Sequence, residues 1–116
     1  MTEYKNLIVW QKSISFVTSV YELSASLPPS EKYGLVDQLR RASVSISSNI
    51  AEGSRRSTDK DFKSFLHISL GSLAEVETQL LICKNLKLIK ERDLLSLQKQ
   101  AEELSKMLMS FIKRLS

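Results

Sequence analysis

Apolar residues recur every three or four positions along nearly the whole chain, which is the period of a helix face and not the alternation of a half-buried strand. After an opening over residues 4–12, Leu7, Trp10, Ile14, Val17 and Tyr21 make one row of a first helix, and Phe16, Val20, Leu23 and Leu27 make a second that widens the stripe. Pro28 and Pro29 stop it, because proline lacks a backbone donor and clashes with the preceding turn. Ser30 then reads as the N-cap of a second helix with Glu31 in its first turn. Leu35, Leu39, Ala42, Ile46 and Ile50 form the apolar face of that helix. Ser43, Ser45, Ser47, Ser48 and Ala51 add small side chains that let a neighbour approach closely, and Gly53 reads as the terminator.

A third helix is expected after a cap at Ser57 or Thr58, with Asp59 and Asp61 near its positive end. Its face, Phe62, Leu66, Ser69, Leu73, Val76, Leu80 and Cys83, alternates steps of four and three, a heptad seam. Gly71 sits in mid-helix, where glycine costs up to about 1 kcal/mol relative to alanine, so a tight helix crossing is its expected use. The pattern fades over residues 85–89, turns near Lys90 and Glu91, and resumes through Leu94, Leu97, Ala101, Leu104, Leu108, Phe111 and Leu115. Four matched amphipathic rods with short connections predict an all-α, antiparallel up-down-up-down four-helix bundle occupying residues 1–116 as one domain.

Further apolar residues lie off these seams: Ile8, Val9, Phe16 and Val20 on the first helix, Val36 and Val44 on the second, and Phe65, Ile68, Leu70, Leu81 and Ile82 on the third. A wide buried stripe accounts for some of them, and a surface covered by a second copy of the chain accounts for the remainder. Self-association is therefore expected.

Composition narrows the function. Only three glycines and two prolines occur in 116 residues, which favours long helices over turn-rich sheets. Cys83 is the single cysteine, so no internal disulfide and no oxidising compartment is demanded. No stretch reaches the roughly 18 apolar residues of a membrane helix, and the start lacks the basic segment and apolar core of a secretory signal. A cytoplasmic location is expected. His67, the lone histidine, lies sixteen residues from Cys83, about 24 Å along one helix, too far for a nucleophile–base pair within a chain. No paired Glu-x-x-His element, glycine-rich phosphate loop or metal-ligand set is present, so no catalysis, cofactor or metal is expected.

The net charge is +4. Arg40 and Arg41 sit on the second helix, where Asp37, Glu75 or Glu77 offer partners. Arg55 and Arg56 follow that helix, and Lys60 and Lys63 begin the third. Lys84, Lys87, Lys90 and Arg92 gather at the opposite end of an up-down bundle. Two readings stay open. Either these charges merely solvate the surface, or Arg55, Arg56, Lys60 and Lys63 bind phosphate backbones of RNA or DNA in a sequence-independent, salt-dependent manner. No aromatic platform is apparent with these residues, so base readout is not indicated.

Taken in order, QLRRA at residues 38–42, SNIAEG at 48–53 and GSLAEVET at 71–78, after a LIVWQKS opening at 7–13, resemble a four-helix-bundle family encoded in bacterial 23S rRNA intervening sequences. The accessory variability determinant proteins of diversity-generating retroelements are related to it. The resemblance implies a barrel-like homopentamer. In the retroelement branch it also implies a positive surface that engages nucleic acid and a reverse transcriptase, so a protein-interaction adaptor is the alternative function. Gln38, Arg41, Asn49, Glu52, Gly71, Glu75 and Glu77 match the polar and glycine positions of the motif. Their implied roles are structural: Arg41 pairing with Glu75 or Glu77 on a neighbouring helix or subunit, and Asn49 and Glu52 satisfying backbone groups at the end of the second helix.

Overall fold

The computed structural model describes residues 3–115. A 3-10 turn, Tyr4–Asn6, leads into four helices: α1 Ile8–Ser24, α2 Leu35–Ser54, α3 Asp59–Asn85 and α4 Glu91–Arg114. No strand occurs among the described residues. Each helix packs against the next and α4 returns to α1, while neither diagonal pair comes into close backbone contact. This is the antiparallel four-helix bundle that the periodicity predicts, in a body of 44 × 24 × 20 Å.

The α3 and α4 seams are buried as expected: Leu66, Ser69, Leu73, Val76, Leu80 and Cys83 on one, Leu94, Leu97, Ala101, Leu104 and Leu108 on the other. On α2, Leu39, Ala42, Ile46 and Ile50 enter the core. The first helix differs from its reading. Val9, Ser13, Phe16 and Val20 face inward, whereas Ile14 and Tyr21 of the expected main row are each 39% exposed. A serine at position 13 disguises the true core row. Its hydroxyl sits at 2.8 Å from the Ser47 hydroxyl of α2 and donates to the Trp10 carbonyl at 2.6 Å, so Ser47 is the donor between them.

Helix ends also depart from expectation. α1 stops at Ser24, before the prolines, where Ser24 and Ser26 hydroxyls donate back to the Tyr21 and Leu23 carbonyls. The residue before proline is excluded from helical angles, which pulls the boundary upstream. Ser30 is not an N-cap. Pro29–Glu31 forms a separate 3-10 turn, α2 begins at Leu35, and the Glu31 carboxylate accepts from the Leu35 N–H at 3.3 Å. Thr58 does cap α3, accepting from the Asp61 N–H at 3.1 Å.

Neither helical glycine has its expected role. Gly53 does not terminate α2, which runs on to Ser54. It is buried where α2 meets α3, and a Cβ there would lie 2.6 Å from Phe65 Cβ. Gly71 is exposed, and a Cβ there would meet nothing within 4 Å, so it marks no crossing within the chain. The α2–α3 contact is further held by Ser69, which donates to the Ile46 carbonyl at 2.9 Å, and by Ser72, which donates to Ser45 at 2.9 Å. Small side chains thus bring the two backbones together and bond across the gap.

Candidate nucleic-acid interface

Because α1 and α2 run antiparallel, the start of the chain meets the end of α2, and the end of α4 comes to the same pole. Arg55 reaches Glu3 at 3.5 Å and lies over the Tyr4 ring at 5.4 Å. Arg56 pairs with Glu52 at 3.0 Å and covers the Phe65 ring at 4.6 Å. Lys60 is exposed and Lys63 half-buried on the first turns of α3. Phe62 touches Phe111 of α4, ring centroids 5.4 Å apart, and Arg114 lies over Phe111 at 5.4 Å. Lys113 and Arg114 therefore join the same end as Arg55, Arg56, Lys60 and Lys63. Sequence reading assigned these two only to the α4 dipole. The antiparallel register of α4 was the signal that could have placed them here.

The ion pairs at this end are solvent-exposed, and such pairs are worth about 0–1 kcal/mol. Glu3 and Glu52 are thus weak competitors for a phosphate. The aromatic rings beneath the arginines hold the guanidinium planes against the surface. Aromatic residues do accompany the cations in space, contrary to the sequence reading: Tyr4 and Phe111 come from distant parts of the chain, and Phe62 and Phe65 from α3. Ser54, Arg56, Asp59, Phe62 and Phe111 line a cleft of about 340 Å³. Beside it, Leu7, Ile8, Lys106, Met107 and Arg114 line a groove of about 680 Å³ between the start of α1 and the end of α4.

Several of the remaining polar positions have local partners. Arg41 Nε donates to both carboxylate oxygens of Asp37 within α2, at 3.0 and 2.9 Å, and within the chain does not pair with Glu75 or Glu77. Arg40 donates to Ser24 at 2.8 Å and covers Tyr21 at 4.6 Å. Asn49 donates to the Ser45 carbonyl and hydroxyl at 2.8 and 3.0 Å, one turn back and not at the helix end, and Glu52 is engaged by Arg56. Gln38, Gly71 and Glu75 are exposed. Partial burial pushes the Glu77 carboxyl up, and the Glu102 carboxylate of α4 adds to the shift. Gln79, which sequence reading passed over, is buried, and its side-chain oxygen has no partner among the described residues.

Cys83 is fully buried, and burial, with a smaller contribution from Glu31, pushes its thiol up and away from the nucleophilic thiolate. His67 is exposed on the outer side of α3. No group of three or more metal-ligating side chains converges among the described residues, and no described helix is long and apolar enough to cross a membrane.

No curated protein matches the sequence. The chain is similar in structure to a protein of unknown function from the S23 ribosomal protein family of Bacteroides thetaiotaomicron VPI-5482. The TM-score is 0.85 at 28% identity, over 91% of this chain and 99% of that one. The profile of the 23S rRNA-intervening sequence proteins matches residues 5–110. The four-helix order and this match over most of its length place the chain in the 23S rRNA-intervening sequence protein family.

Proposed function

We propose that the protein is a non-enzymatic, self-associating helical scaffold that binds nucleic acid through the basic end of its bundle without reading sequence. The observation that carries this reading is the convergence of Arg55, Arg56, Lys60 and Lys63 with Lys113 and Arg114 at one pole. Their acidic partners are few and exchangeable. A homopentamer, as the family resemblance implies, repeats this end five times and multiplies its field.

Self-association is supported by two apolar strips on opposite sides of the bundle. Ile14, Tyr21 and Val44 lie exposed along α1 and α2, and Leu81, Leu95 and Met109 along α3 and α4. The same strips favour the second reading, a protein-interaction adaptor, for instance for a reverse transcriptase.

Titration of labelled RNA and DNA at low and moderate salt tests the first reading. Binding to four phosphates gives a log–log salt slope of about −4 on duplex DNA. Neutralising Arg55, Arg56, Lys60 and Lys63 to alanine should flatten that slope and weaken binding on every sequence alike. Absence of binding at low salt removes the nucleic-acid part. Light scattering tests the assembly: a monomer at micromolar concentration removes the self-association part. Recovery of a protein partner without nucleic acid favours the adaptor.

A further inference from the structure

We infer that the basic end of the bundle takes single-stranded nucleic acid in preference to duplex, with one unpaired base seated in the cleft against Phe62 and Phe111. This rests on the nucleic-acid reading and adds the form of the ligand. The cleft of about 340 Å³ is concave and holds two half-buried aromatic rings beside Arg56. Three arginines at this end each overlie an aromatic ring, at 4.6 to 5.4 Å. A duplex buries the faces of its bases in the stack and can use only the cations. A single strand can use the cations and also lay a base on a ring, which is the common device of single-strand binding surfaces.

Asp59 is among the residues that line the cleft, and its negative charge disfavours a phosphate there, so the backbone lies outside, over Arg55, Arg56 and Lys60. Charge alone would favour the duplex, whose phosphates are denser and whose salt slope is steeper. A preference for the single strand therefore reports the cleft and not the charge.

The test compares labelled twenty-residue oligoadenylate, oligouridylate and the duplex of the two by fluorescence anisotropy at one low salt concentration. Both single strands are expected to bind more tightly than the duplex, by roughly fivefold or more, the scale of one base stacked on an aromatic ring. Phe111→Leu, which keeps an apolar side chain but no ring, should erase that margin and leave duplex binding unchanged. Equal or tighter binding of the duplex by the unaltered protein overturns this inference and leaves the functional reading intact. No binding of any form at low salt overturns the functional reading itself.

Discussion

Gly53 of α2 faces Phe65 of α3 so closely that a methyl group on the glycine would lie 2.6 Å from Phe65 Cβ and 2.9 Å from the Phe62 ring. Alanine gains about 1 kcal/mol over glycine in helix propensity, whereas overpacking a filled contact costs about 1–3 kcal/mol. The backbone-proximal Phe65 Cβ cannot swing away, so the steric cost wins. Gly53→Ala should lower stability by about 1 kcal/mol or more in urea unfolding. Gly71→Ala meets nothing and should raise it by about 0.5–1 kcal/mol. A loss at Gly71 in the assembled protein, in place of a gain, would indicate that another copy of the chain packs there.

The end of α3 offers a second stabilising change. Leu88 donates to the Cys83 carbonyl and Lys87 to the Lys84 carbonyl, both at 2.9 Å, with Lys87 at φ 60°. This is the Schellman closure in which glycine normally occupies the left-handed position. Lysine there carries roughly 1 kcal/mol of Cβ–carbonyl strain. Lys87→Gly should raise the thermal midpoint, with an unchanged helical circular dichroism spectrum; a lower midpoint would show that the lysine side chain contributes more than its backbone strain costs.

The hydroxyl pair between α1 and α2 predicts coupling. Ser47→Ala removes only a donor, while Ser13→Ala strands the Ser47 hydroxyl, and both positions are nearly or fully buried. Each single change should cost about 1 kcal/mol, Ser13→Ala the more. The double change should cost less than the sum, measured as a double-mutant cycle. Strict additivity would show that the two hydroxyls do not depend on each other.

Glu77 sets a pH dependence. Its carboxyl is pushed above the ordinary 4.5 by partial burial and then by Glu102. The folded chain thus holds this proton more tightly than the unfolded chain, and stability falls as pH rises through the window above 4.5. Glu77→Gln removes that loss. It should stabilise the protein at pH 7 by a few tenths of a kcal/mol, about the size of one exposed like-charge pair. The gain should vanish at a pH below the ordinary value. A gain that persists under acid would assign the effect to packing of the amide.

The α3 and α4 faces were legible because their rows keep the four-and-three spacing throughout, interrupted by the single Ser69 between Leu66 and Cys83 and wholly apolar from Leu94 to Leu108. The α1 face was misread because Ser13 and Ser24, polar by type, are buried and satisfied by hydroxyl and carbonyl partners that periodicity does not register. Gly53 looked like a terminator because it is followed by a polar linker; only the position of Phe65 on another helix reveals its use. At the basic end, Arg55, Arg56, Lys60 and Lys63 stand out in the sequence as a cluster. The rings that complete it come from Tyr4 and Phe111 at opposite ends of the chain, so only the folded bundle brings them under the arginines.

The ring of neighbour-to-neighbour helix contacts has a kinetic consequence. Three of the four interfaces join helices consecutive in the chain, so their loop-closure entropy is small and formation should fall toward the fast end of the range for small domains. The α2–α3 hairpin, with the most extensive contact and cross-strutted by serines, is the natural nucleus. The α1–α4 seam is the long-range step, and during synthesis it must wait for the last helix to emerge. Until then α1 and α3 keep bare the flanks that α4 later covers, and in that interval the nascent chain is most open to capture by another copy of itself.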